Sequence, residues 1–110
     1  MKAEIIVRPG QLSAMLDLLG RRMVPIFEAK GGWRLCACFV QRTGRLNTIV
    51  DIWELEDYGH FERGYAVFRD DPEYPAVRAD LDRFVESETI VFMDCQFGDI
   101  AGTRSGAPQA

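Results

Sequence analysis

The chain has 110 residues, 47% of them hydrophobic and 27% charged, with a formal net charge of −4. That is one globular domain, able to bury roughly 65% of its unfolded surface. Its lysines and arginines form no run, which argues against a nucleic-acid partner; its apolar runs are too short to span a membrane; and Glu4 and Arg8 do not read as part of a secretory leader.

Lys2 to Val7 reads as a first strand, with Ala3, Ile5 and Val7 on one side and Glu4, Ile6 and Arg8 on the other. Pro9-Gly10 ends it. From about Gln11 the apolar residues Leu12, Met15, Leu16, Leu19, Met23, Ile26 and Phe27 form one stripe at helical period. Pro25 lacks an N–H, which predicts a kink or a restart. Gly31-Gly32 stops the helix.

Trp33 to Arg42 is the second strand, joined through a Thr43-Gly44 turn to the β-branched stretch Leu46 to Glu54. A two-residue turn would set Arg42 opposite Arg45. Leu35, Ala37 and Phe39 would then share an apolar, helix-covered face with Ile52, Val50 and Thr48. The other face would collect Arg34, Cys36, Cys38 and Val40 with Trp53, Asp51, Ile49 and Asn47.

Asp57 is placed to cap the next helix, and Tyr58, Phe61, Tyr65 and Phe68 follow at helical spacing. Asp70-Asp71-Pro72 breaks that helix, with Asp71 as N-cap and Pro72 as first residue of its successor. Val77, Leu81 and Phe84 are the inward stripe. Glu88 to Met93 is the last strand. Residues 1–97 are therefore one domain, and 98–110 read as a flexible tail or a crossing arm.

The order strand, helix, strand, strand, broken helix, strand predicts an α+β, ferredoxin-like βαββαβ fold with one four-stranded antiparallel sheet. Both helices must cover one sheet face. The face carrying Trp53, Ile49 and Val40 would be too apolar to leave wet. A second copy packed against it would give a homodimer. Cys36 and Cys38 lie two apart on a strand, about 6.5–7 Å between Cα atoms and at the limit of disulfide reach. Reduced thiols in the cytoplasm are expected. His60 has no partner motif, so no metal is expected, and beside Phe61 at a helix start it reads as a surface residue.

From Gly31 to Phe84 the chain resembles the NIPSNAP family of the dimeric α+β barrel superfamily. The likeness rests on Gly44-Arg45-Leu46-Asn47-Thr48-Ile49-Val50-Asp51-Ile52-Trp53, on Glu62-Arg63 and on Asp71-Pro72-Glu73-Tyr74. The family pattern is roughly G-x-L-N-x-V-x-H-x-W, an Arg-bearing helix, and D-P-x-W. Asp51 stands where the family usually has histidine, and Tyr74 where tryptophan is commoner. The resemblance implies a dimeric α+β barrel. Superfamily relatives include cofactor-free monooxygenases, isomerases and ligand binders, so no tightly bound cofactor is implied.

Asp51 is the candidate proton-transfer residue. A carboxylate in a partly apolar cavity has a raised pKa and can exchange a proton near neutrality. Arg34 and Arg8 are candidate partners, and a structural Asp–Arg pair at a dimer interface is the alternative. Trp53 could stack on a planar ligand, with Arg34 against it, or serve as a core anchor. Asn47 could bond a ligand or its own backbone. Arg63 could hold an anion at the barrel mouth or pair with a surface acid. A compact hydrophobic or aromatic small molecule is the expected ligand. A non-catalytic dimeric interaction module is the competing reading, in which Trp53, Phe92 and Met93 would fill the cavity.

Overall fold

The structure, a computed structural model, describes residues 1–98. The strands are β1 (Lys2–Val7), β2 (Arg34–Val40), β3 (Thr48–Glu54) and β4 (Val85–Val91). They form one sheet in the order β2-β3-β1-β4, and every neighbouring pair is antiparallel. The helices are α1 (Leu12–Leu18), α2 (Tyr58–Asp70) and α3 (Tyr74–Phe84). The expected α+β, ferredoxin-like βαββαβ architecture is thus the observed one. Residues 99–110 of the expected tail lie outside the described residues.

The first helix does not break at Pro25. After α1 the chain continues in π-helical turns at Leu19–Met23 and Ile26–Lys30. A wider turn tolerates the N–H that proline lacks. Gly31 N–H closes it on the Ile26 carbonyl at 3.1 Å, and Gly32, at φ +74°, lets the chain leave. Asp57 caps α2 as expected, its side chain accepting from the His60 N–H at 2.8 Å. Asp71 separates α2 from α3, but α3 starts at Tyr74. The Asp71 carboxylate instead accepts from the Glu73 N–H at 2.8 Å and holds the intervening turn. The last strand runs over Val85–Val91, so Glu88 sits mid-strand rather than at its start.

The hairpin register differs from the two-residue expectation. Residues 41–47 form the connection, stapled by the Gln41 side-chain amide donating to the Thr43 and Arg45 carbonyls. The strands pair as Arg34–Glu54 and Leu35–Trp53. Past an irregularity at Cys36 they pair as Ala37–Ile52, Cys38–Asp51, Phe39–Val50 and Val40–Ile49. A longer loop and one bulge shift the register and re-aim side chains.

The faces are therefore exchanged. Ala3 pairs with Asp51 and Ile5 with Ile49, and directly paired residues point to the same side. Ala3, Ile5, Val7, Ile49, Asp51 and Trp53 are all buried. The apolar ones pack against Met15, Leu19, Met23, Phe27, Phe68 and Phe84 from the helices. The expectation that Thr48, Val50 and Ile52 face the helices is overturned. The bulkier set, with Ile49 and Trp53, fills the deeper layer. The bare face carries Ile6, Ala37, Phe39, Val50, Ile52 and Val91.

Candidate functional site

Between sheet and helices the packing is uneven. At one end Trp33 stacks on Phe27 with ring centroids 4.3 Å apart, and its indole N–H donates to the His60 carbonyl at 3.0 Å. Gly64 of α2 makes room for it: a Cβ there would lie 2.1 Å from Trp33 Nε1. His60 is buried, not at the surface as the sequence suggested. Its Nδ1 accepts from the Glu56 N–H at 3.0 Å and its Nε2 is 2.9 Å from the Gly31 carbonyl. With Nδ1 accepting, Nε2 carries the proton. The imidazole clasps the turn before β2 to the start of α2.

At the other end a cavity of about 120 Å³ lies between the layers, lined by Tyr65, Phe68, Arg69, Tyr74, Arg78 and Glu88 among others. A smaller one, about 30 Å³, adjoins it and is lined by Asp51, Trp53 and Trp33. The two share Ile5, Met23, Tyr65 and Glu88 as walls. β3 supplies Asp51 and β4 supplies Glu88, on the two strands flanking β1; Glu88 pairs with Ile5 as Asp51 pairs with Ala3. Tyr65 and Arg69 are one helical turn apart on α2, so they reach the cavity together.

Asp51 is 2% exposed, and its Oδ1 is buried without a hydrogen-bond partner among the described residues. Burial pushes its carboxyl above the usual range; hydrogen bonding from the Cys38 thiol and from Trp53 pulls back less strongly. Cys38, opposite Asp51 on β2, is exposed at the sheet edge, yet the surrounding protein and the Asp51 carboxyl push it up to about 12. A thiol held protonated is a poor nucleophile. Glu88 opens to solvent at the sheet edge, yet the surrounding protein raises its pKa, and the Asp51 charge adds to that. Burial also raises the Tyr65 hydroxyl. The cavity thus holds two acids, both biased toward the protonated form, and a neutral phenol.

Of the other sequence-derived candidates, Trp53 lies beside Asp51; Arg34, Asn47, Arg63 and Arg8 do not. Asp51 faces the helices, not a partner sheet, and lies opposite Cys38 rather than near Cys36. Arg34 is not across from Trp53. It pairs with Glu54, 2.7 Å from it, on the bare face. Trp53 is 3% exposed within the aromatic core, with an edge in the smaller cavity. Asn47 takes φ +60° and its carbonyl accepts from the Val7 N–H, a local backbone role. Arg63 lies 3.5 Å from Glu56 on the outer side of α2. Arg8 is exposed and lines an outer pocket with Arg78 and Glu88. Glu88, Arg69 and Arg78 are not among the sequence candidates, and Tyr65 figures there only as part of the aromatic stripe. The one available signal was Glu88 two residues before Ile90, an acid on the inward side of an edge strand. Among the described residues no three His, Cys, Asp or Glu side chains could hold a metal, and no helix is long and apolar enough to cross a membrane.

These parts define an α+β protein of the split βαβ class with an acid-lined cavity between its layers. The NIPSNAP family model matches residues 6–98, and the chain belongs to that family. Among solved structures, an uncharacterized NIPSNAP domain protein from Burkholderia xenovorans is similar, with TM-score 0.75 and 21% identity over 89% of this chain and 95% of that one. A NIPSNAP family protein from Agrobacterium tumefaciens has TM-score 0.76 and 18% identity over 88% and 85%. Another from the same organism, of unknown function, has TM-score 0.74 and 19% identity over 91% and 90%. At these identities the likeness shows the fold. No curated protein matches the chain.

Proposed function

We propose that this NIPSNAP protein binds a compact aromatic or hydrophobic small molecule between its sheet and helices, and that Asp51 and Glu88 move a proton on it. The observation that carries this reading is the Asp51 carboxyl, buried, with one oxygen unpartnered at the wall of a cavity. Structural acids elsewhere in the fold are satisfied. Asp71 bonds Lys30, Asp80 bonds Arg83, and Glu54 bonds Arg34. An unpaired buried carboxyl costs stability, and perturbed acids in a cleft mark functional sites. The smaller cavity at Asp51 has room for little more than a water molecule. Glu88, on the wall shared with the larger cavity, is therefore placed against the body of a ligand, and Asp51 against its inner end. Raised acids suit general acid–base chemistry near neutral pH.

A library of single-ring compounds screened by ligand-detected NMR in D₂O tests this. The expected result is a binder whose C–H signal is lost to exchange, with Asp51→Asn keeping the binding and losing the exchange. Absence of any binder at millimolar concentration contradicts it. The interaction-module reading calls for a cavity filled by Trp53, Phe92 and Met93. Phe92 and Met93 are instead 44% and 52% exposed, with Phe92 against Tyr58 and Phe61, which favours the ligand reading.

The bare sheet face supports a second proposal, a homodimer. Phe39 is 58% and Val91 39% exposed beside Ile6, Ala37, Val50 and Ile52. Lys2 stands between Ile52 and Val91 on this face, and the exposed apolar patch over β2 and β3 marks an interface. Light scattering should give twice the chain mass, and Val50→Asp should lower it. A stable folded monomer of the unmodified chain at micromolar concentration contradicts the dimer. Free Cys36, Cys38 and Cys95 support a reducing, cytoplasmic setting.

A further inference from the structure

We propose that the cavity takes a compact carboxylate, a single-ring or branched aliphatic acid whose anionic end is held at the rim by Arg69 and Arg78. This rests on the reading of the cavity as a ligand site and specifies what enters it.

The arginines divide into two sets. Arg21, Arg22, Arg34, Arg45, Arg63, Arg78 and Arg83 each lie within ion-pair distance of an acid. Among the described residues, Arg8, Arg42 and Arg69 have no such partner. Of these three unpaired guanidinium groups, Arg69 alone lines the 120 Å³ cavity, and Arg8 lines the neighbouring outer pocket that shares Arg78 and Glu88 with it. Arg78 meets Asp82 through one nitrogen at 3.3 Å and is 59% exposed, so most of its donor fork remains available. Glu88 shares the cavity with these arginines but forms no ion pair with them, so they are not spent on neutralising it.

Arg69 also borders a groove of about 240 Å³ outside α2 with Tyr58, Phe61, Glu62 and Tyr65. Arg69 and Tyr65 line both that groove and the cavity. A guanidinium fork matches a carboxylate in two parallel hydrogen bonds. Behind it, Met15, Met23, Phe68 and Leu81 supply an apolar chamber. A cavity of about 150 Å³ holds benzene, so about 120 Å³ suits one ring or a short branched chain. With the carboxylate at the rim, the opposite end of the molecule points along the Glu88 wall toward Asp51.

The test uses benzoate, its neutral isostere benzamide, and the full chain, with binding followed by amide chemical shifts. Benzoate should bind at least about tenfold more tightly than benzamide, as expected when hydrogen bonds to a charged group are at stake. Arg69→Gln should abolish that preference, while Arg42→Gln, which removes another unpaired arginine away from the cavity, should leave it unchanged. Equal binding of the two probes, or a preference that survives Arg69→Gln, overturns the carboxylate assignment and leaves the cavity reading standing. If neither probe binds at millimolar concentration, the carboxylate assignment is overturned, and the cavity reading is decided by the library screen.

Discussion

The space between sheet and helices is closely packed at one end, around a void of only about 30 Å³, and open at the other. Around Phe27 the rings of Trp33, Phe68 and Trp53 lie within 4.3, 4.9 and 5.8 Å, centroid to centroid. Around Glu88 the same two layers leave about 120 Å³, bordered by arginines, tyrosines and an acid. Tyr65 and Phe68 belong to both ends, 5.6 and 4.9 Å from Phe27 on one side and lining the cavity on the other. The packed end shows how closely these layers can approach, so the opening is not forced by the fold. Each polar group there gives up stability that an apolar side chain would supply. Sites that bind or react are where chains commonly accept such costs.

The largest effect that would break this contrast belongs to the packed end. Gly64→Ala gains about 1 kcal/mol of helix propensity but drives a methyl into the Trp33 ring. The clash should win, with a net loss of about 2–3 kcal/mol in chemical denaturation. Trp33→Ala should cost about 3–5 kcal/mol and free the His60 carbonyl. If either variant melts like the parent, the packed end is not the stable half.

Next comes Asp71, which ties the two helix ends together through Lys30 and caps the Glu73 turn. Asp71→Ala should cost about 1 kcal/mol. The Lys30 hydrogen bond holds the Asp71 carboxyl below its usual range. Its contribution is therefore present above the ordinary aspartate pKa and lost as pH falls through the folded value. Wild type should lose stability into acid faster than Asp71→Ala does, as read from melting curves between pH 6 and about 3.

The smallest effect is at the open end. Glu88 has a raised pKa, so the folded state binds its proton more tightly than the unfolded chain. Its contribution is complete below the unfolded pKa and fades as pH rises through the folded one. Glu88→Gln should flatten that decline and change stability at neutral pH by about half a kcal/mol or less, since the side chain opens to solvent. A steeper decline in the variant would remove Glu88 from the set of strained acids.

Much of the architecture was legible in the residues. The period-two pattern of Lys2–Val7, the helical stripe from Leu12 to Phe27, and the Asp57 cap all placed elements correctly. The face of β3 was not legible, for a physical reason. Asp51 made the Ile49–Trp53 side look mixed, while Val50 and Ile52 looked like core. A buried polar residue reverses the pattern that burial otherwise writes. The hairpin register was misread because Thr43-Gly44 suggested a tight turn, and nothing in the local sequence announces a bulge at Cys36. Asp51 and Trp53 were found as candidates, but the polar residues of the larger cavity were not. Tyr65 and Arg69 come from a helix, Glu88 from a strand across β1 and Arg78 from a second helix. Only the assembled layers bring them together.

The account depends on Asp51 being a cost the fold carries for its cavity rather than a strut that holds it. The most direct measurement is the unfolding free energy of wild type and Asp51→Asn at pH 7, by chemical denaturation with secondary structure checked in both. Removing a buried, half-satisfied carboxyl should raise stability by about 1 kcal/mol, a few degrees in melting temperature. A loss of similar size would show that the carboxyl holds the layers together, and the assignment of this cavity as a proton-transfer site would be wrong.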